Sequence, residues 1–123
     1  MTIGLAAVSG LCALTRRPIG DVRDDPDLGP LLHDAMQEVI NVGRSCGVQL
    51  PSDVLLSVQG TMIRPFPPHA IPSMAVDLRA GNRLELPWLA GKVVQLGAAH
   101  GVPTPVNRVV YAALKPYMNG PPA

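Results

Sequence analysis

Two residues of this chain have a type and spacing that could do chemistry on a small molecule. Ser73 follows Pro72 and opens a helix signal, and Glu85 lies twelve residues on at the start of another. A helix N-terminus presents backbone N–H groups that its own turns leave unpaired, and a hydroxyl there adds one more donor. That arrangement suits a carboxylate ligand. A glutamate held nearby can accept a hydrogen bond from a hydroxyl of the same ligand. Each residue also has an ordinary structural explanation. A serine is a common helix cap, and a first-turn acid is favoured by the helix dipole. On spacing alone the structural explanation is the stronger one.

The rest of the chain offers little competing chemistry. No GxGxxG follows a strand signal, and there is no Walker loop or metal-ligand motif. His33, His69 and His100 are scattered, and none pairs with a serine or cysteine nucleophile. Cys12 and Cys46 form no CxxC, and each lies in an apolar helical pattern. That predicts two buried free thiols rather than a disulfide or zinc site. The net charge is +1, and Arg16–Arg17 is the only basic pair. Nucleic acid is therefore not an expected partner.

Positioning such residues takes a core. A chain of 123 residues forms one domain, and with 47% hydrophobic but only 3% aromatic residues its core must be aliphatic. Ile3 to Leu14 reads as a small-residue helix ended by Arg16, Arg17, Pro18 and Gly20. It is too short to span a bilayer, and its positive charges follow the apolar run rather than precede it. A buried first helix in a soluble, cytoplasmic protein is expected, with no membrane partner. Asp25–Pro26 starts a strong second helix, with Leu28, Leu31, Leu32, Ala35, Val39 and Ile40 on its apolar face. His33, Asp34, Gln37, Glu38 and Asn41 take the polar face. Gly47 ends it as a left-handed cap.

Pro51–Ser52–Asp53 opens a third helix through Val54, Leu55, Val58 and Met62. Four prolines between Pro65 and Pro72 forbid regular structure there. Ser73 then caps a short helix stopped by Gly81. Glu85 begins a longer helix through Leu89, Val93, Leu96 and Ala99, stopped by Gly101. Thr104–Pro105 caps the last helix, which ends before Pro116. No segment alternates with period two, so the fold class is all-α, a bundle of about six helices. A frayed tail is expected at residues 118–123.

The order Ser73-Met74, Asp77, Gly81, Glu85, then Leu89-x-Gly91-x-Val93-Val94, Gly97 and Gly101-Val-Pro-Thr-Pro-x-Asn107, resembles the C-terminal helical domain of the ketopantoate reductases (2-dehydropantoate 2-reductases). Leu14 to Arg23, LTRRPIGDVR, and Cys46-Gly47-Val48 add to the resemblance, which runs over residues 1–117. The implied fold is that of 6-phosphogluconate dehydrogenase C-terminal-like domains. The family reduces ketopantoate to pantoate with NADPH, on the route to pantothenate. Its nucleotide sits on an N-terminal Rossmann domain and its substrate lies between the domains. Carried onto this sequence, Ser73 binds the substrate carboxylate, and Glu85 hydrogen-bonds the substrate and supports proton transfer as a catalytic residue.

The sequence also departs from the family. The position of the family's general-acid lysine falls on Met1. Pocket asparagines would fall near Leu5, Ser9 and Ile19. The chain alone binds no cofactor, because the nucleotide domain is not in it. Two readings follow. One is a reductase C-terminal domain, a truncated oxidoreductase inactive by itself, whose 2-oxo acid site needs a Rossmann half. The other is a non-enzymatic helical module that dimerises or binds a partner. A homodimer suits either, since apolar surface once facing a Rossmann domain would be exposed.

Overall fold

A computed structural model describes residues 3–121, apart from the side chains of Leu5 and Met62. Among the described residues the fold is all-α, and its only strand-like feature is an isolated bridge between Arg83 and Asn119. There are seven α-helices: α1 (Ile3–Thr15), α2 (Ile19–Asp24), α3 (Leu28–Ser45), α4 (Val54–Val58), α5 (Ser73–Ala80), α6 (Ala90–His100) and α7 (Pro105–Leu114). A π-helical turn, Gln59–Ile63, extends α4. Single 3-10 turns cover Leu86–Trp88 and Lys115–Tyr117.

The hydrophobic first helix is the centre of the bundle. α1 packs on α3, α5 and α7, and buries Ile3, Ala7, Val8, Leu11, Cys12 and Ala13. Small residues along it let its neighbours approach closely: a Cβ on Gly10 would lie 2.7 Å from Val110 Cγ1. The core is aliphatic, with Met36, Ile40, Met74, Leu86 and Val22 fully buried, while Trp88 is 72% exposed. No described helix is long and apolar enough to cross a membrane.

Several expected elements differ. The first helix does stop before Pro18, with α1 ending at Thr15 and Arg16 at φ +59°, but Pro18–Gly20 also opens an unexpected α2, with extended Pro18 as its N-cap residue and Asp21 in its first turn. Proline just before a helix restricts the entry and loses no helical hydrogen bond. The long helix expected from Glu85 is split. Leu86–Trp88 forms a 3-10 turn, Leu89 leaves helical geometry at φ −109° and ψ −102°, and α6 starts at Ala90. The Asp25 start holds in part: α3 begins three residues later, at Leu28 with Asp27 as its N-cap residue, but the Asp25 carboxylate does accept from the N–H groups of Asp27 and Leu28, both at 2.9 Å. Those two bonds, Leu28's first, keep the Asp25 carboxyl below its ordinary pKa. The left-handed stops also hold, with Gly47, Gly81 and Gly101 at φ +88°, +73° and +69°.

Glu38 corrects the expected polar face of α3. It is 6% exposed, and its carboxylate caps α7 from outside. Oε2 accepts from Val106 N at 2.9 Å, and Oε1 accepts from Asn107 N at 3.0 Å and Asn107 Nδ2 at 2.8 Å. Asn107 Nδ2 also donates to the Ala35 carbonyl at 3.2 Å. Thr104 therefore makes no side-chain cap, although Pro105 is the first helical residue as expected.

The chain beyond Tyr117 is also held. Met118 O accepts from Leu84 N at 2.9 Å, Gly120 N donates to Tyr117 O at 3.1 Å, and Gly120 is buried. Pro122 and Ala123, the end of the tail expected to fray, lie outside the described residues.

The cysteines divide. Cys12 is buried in α1, whereas Cys46 is exposed, because it falls past the last core-facing turn as the C-cap of α3. Burial pushes the Cys12 thiol up to about 11. It stays protonated and unreactive at neutral pH. A thiol reagent is expected to modify one cysteine promptly in the folded chain and the second only on unfolding. Mass mapping that found Cys12 modified first would contradict this packing.

Candidate functional site

The polyproline segment before α5 is anchored by α2. The N–H groups of Ile19 and Gly20 are in the first turn of α2 and have no partner within it. They donate instead to Ala70 O at 2.9 Å and Pro68 O at 2.7 Å. Arg23, one turn further, lays Nη1 against the carbonyls of Ile63 and Arg64 at 3.3 Å and Phe66 at 3.4 Å. A loop that cannot form its own ladder is thus pinned at both ends by one short helix.

The pinning depends on Gly20. A Cβ there would meet Pro68 Cβ at 2.6 Å and Pro68 Cα and O at 2.7 Å. Backbone cannot give as a flexible side chain can. Gly20→Ala is expected to cost about 1–3 kcal/mol and to displace the loop. Urea unfolding reads the first effect, and the Ser73 amide resonance reads the second. A variant with unchanged midpoint and unchanged resonance would show that the contact is slack.

Ser73 is placed by this loop. Pro72 is extended, at φ −63° and ψ 156°, and Ser73 is the first residue of α5 rather than its cap. The residue is exposed. Pro72 O takes the first bonds of the helix, from Ala75 N at 3.1 Å and Val76 N at 3.3 Å. The N–H groups of Ser73 and Met74 precede those bonds and have no partner within α5.

Glu85 is held by its neighbours. Leu84 is 3% exposed and Leu86 fully buried, so the residue between them is turned to the surface. Its carbonyl accepts from Trp88 N at 3.0 Å. Its side chain is exposed, with the exposed Trp88 in the same turn.

A cavity of about 110 Å³ lies on the Ser73 side. Gly4 and Val8 of α1, Ile19 of α2 and Ile63 of the π-helical turn form its floor. Phe66, Ala70, Ile71 and Pro72 of the pinned loop close it, with Phe66 and Ile71 exposed at 41% and 37%. Glu85 does not line it. The structure thus puts both predicted site residues on the surface, and joins neither to the other by a hydrogen bond among the described residues. Met1, the position of the family's lysine, lies outside them. Ser9 and Ile19 are buried, at 1% and 2% exposure.

Sequence reasoning missed the clamp made by α2. The signal was present in Pro18, in the Asp21 first turn, and in Arg17 and Asp21 at an i,i+4 spacing, whose side chains approach to 3.8 Å. Among the described residues there is no strand leading into a glycine-rich turn, and no group of three or more metal-ligating side chains.

Comparison with known proteins decides the family. The ketopantoate reductase PanE/ApbA C-terminal family matches residues 1–118. The chain belongs to that family. The 2-dehydropantoate 2-reductase of Pyrobaculum aerophilum is 31% identical over 110 residues, which is 89% of this chain and 39% of that protein. The 2-dehydropantoate 2-reductase of Caulobacter vibrioides is 31% identical over 112 residues, 91% of this chain and 38% of that protein. The chain therefore spans less than two-fifths of these relatives. Among solved structures, a PanE/ApbA family ketopantoate reductase from Ralstonia eutropha superposes with a TM-score of 0.80 at 34% identity, over 94% of this chain and 38% of that one. A dimeric ketopantoate reductase from Staphylococcus aureus shares the fold, with a TM-score of 0.86 at 18% identity, over 94% of this chain and 40% of that one. The all-helical architecture is that of the ketopantoate reductase C-terminal domain.

Proposed function

We propose that this chain supplies the substrate-facing half of an NADPH-dependent 2-oxo acid reductase of the ketopantoate reductase type. The observation that carries the reading is Ser73. It stands at the start of α5 with an exposed hydroxyl and first-turn N–H groups that have no partner within the helix, after a segment fixed by three side-chain and two backbone hydrogen bonds. Preorganised donors of this kind suit a carboxylate. Glu85 would hydrogen-bond the substrate oxygens and support proton transfer. NADPH, when bound to a Rossmann domain, supplies the hydride. Among the described residues no strand leads into a glycine-rich nucleotide turn, so the 123 residues by themselves are expected to turn over nothing. The proposed setting is the cytoplasm.

The test adds a nucleotide domain. The chain is joined behind the Rossmann domain of a ketopantoate reductase, with Met1→Lys to restore the proton donor. NADPH oxidation with 2-oxo acids is expected in the fusion and not in the chain alone. A folded fusion that binds NADPH and reduces no 2-oxo acid would contradict the reading.

A second reading has its own observation. Leu11, Leu14, Leu31, Pro105, Val106 and Val109 line an apolar groove between α1, α3 and α7, with Val109 61% exposed and Leu31 40% exposed. A homodimer or another helical partner would cover it. Sedimentation equilibrium decides: a monomer unaffected by Val109→Asp argues against an assembly through this groove.

A further inference from the structure

Ser73 and Glu85 lie on separate elements, and the stretch that joins them has little structure of its own. Ser73 is tied to the core through α5, which packs on α1 and buries Met74 and Ala75, each 2% exposed. α5 ends at Ala80 with left-handed Gly81 as its C-cap residue. From there Asn82, Arg83 and Leu84 lead to Glu85 without a helix. A short irregular stretch of this kind keeps one shape through bonds to other parts of the chain.

The C-terminal segment supplies contacts at both ends of that stretch. At the Glu85 end, Met118 O accepts from Leu84 N at 2.9 Å, and Arg83 pairs with Asn119 as an antiparallel bridge. At the α5 end, Pro121 lies on Gly81, where an added Cβ would meet Pro121 Cγ at 3.2 Å and Cδ at 3.3 Å. Gly120 sits between these two grips. It is buried at φ +107°, and a Cβ on it would lie 3.2 Å from Gly81 O. Residues with a side chain rarely adopt that backbone. The segment is held in turn by the end of the bundle. Met118 N donates to Lys115 O and Gly120 N to Tyr117 O, both at 3.1 Å, and Tyr117 and Met118 pack partly buried against the core.

We infer that residues 118–121 form a latch that positions Glu85 relative to Ser73, with Gly120 as its positioning residue. This rests on the catalytic role proposed for Glu85. The latch contributes no group to the chemistry. It holds the stretch after α5 in one shape, so that a 2-oxo acid bound at Ser73 meets the Glu85 carboxylate already in place. Misplacing a catalytic group by about 1 Å can cost about 100-fold in rate.

Two variants test it, Gly120→Ala and a chain ended after Tyr117. In the 15N-labelled chain, Leu84 N–H is expected to exchange at least about tenfold faster in both, as loss of its acceptor allows. Amides of α3 are expected to keep their rates. Unchanged Leu84 exchange in Gly120→Ala would overturn the inference, whether or not the shortened chain folds. An equal rise throughout α3 would also overturn it, because the segment would then serve overall stability only. In the fusion with a nucleotide domain, Gly120→Ala is expected to lower kcat about tenfold with little change in KM, since Ser73 keeps its place. In a Glu85→Gln background the same substitution is expected to cost nothing further, because the latch acts through Glu85. A full tenfold loss in that background, or wild-type kcat in Gly120→Ala by itself, overturns the inference and leaves the role of Glu85 standing. If Glu85→Gln itself keeps wild-type kcat, the role of Glu85 falls and the inference falls with it.

Discussion

Replacing Glu38 with alanine is expected to lower the stability of the chain by about 3 kcal/mol. The carboxylate receives three N–H groups, two from the backbone of α7 and one from the Asn107 amide, all within 3.0 Å. Glu38 and Asn107 are 6% and 2% exposed, so water replaces these bonds poorly. Alanine would leave two first-turn N–H groups of α7 and half of the Asn107 amide without their acceptor. Hydrogen bonds to a charged group are worth about 1.5–3 kcal/mol, and the vacated volume adds to the loss. Glu38→Gln keeps one acceptor oxygen and is expected to lose about half as much. Urea unfolding with an unchanged slope measures both. A loss below about 1 kcal/mol for the alanine variant would mean that α7 is capped in some other way.

The second large effect is on activity. In the fusion with a nucleotide domain, Glu85→Gln is expected to lower kcat by about 100-fold, the low end of what one positioned acid–base group contributes. Glutamine keeps the size and can still hydrogen-bond a substrate, but it cannot take or return a proton. KM is expected to change little. Glu85 is exposed between two buried leucines, so the substitution should leave the unfolding midpoint where it was. An unchanged kcat would remove Glu85 from the reaction. A raised KM with normal kcat would restrict it to binding.

The helices were legible because their signals are local. Periodicity gave α3, the start and stop residues gave α5 and α7, and the glycine stops at 47, 81 and 101 fell where left-handed backbone was needed. What was not legible depends on partners far away in sequence. Glu38 sits on a helix face that reads as polar, and only the approach of Val106 and Asn107, 68 and 69 residues on, makes it a buried cap. Cys46 has the right period for the core but lies one turn too late to reach it. α2 is six residues long, too short for periodicity, and its importance comes from the loop it holds. Of the site, Ser73 and Glu85 were visible as residue types. The cavity was not, because its walls come from α1, α2, the π-helical turn and the proline loop together.

The claim that Ser73 and Glu85 face one substrate is tested most directly by a double-mutant cycle on kcat/KM in the fusion, using Ser73→Ala, Glu85→Gln and the pair. Each single variant is expected to lose at least about tenfold, Ser73→Ala mainly through KM, since a hydrogen bond to a charged group is lost. The pair is expected to lose less than the product of the two, as residues acting on one bound molecule do. Wild-type kcat/KM in both single variants, with folding and NADPH binding intact, would contradict the account.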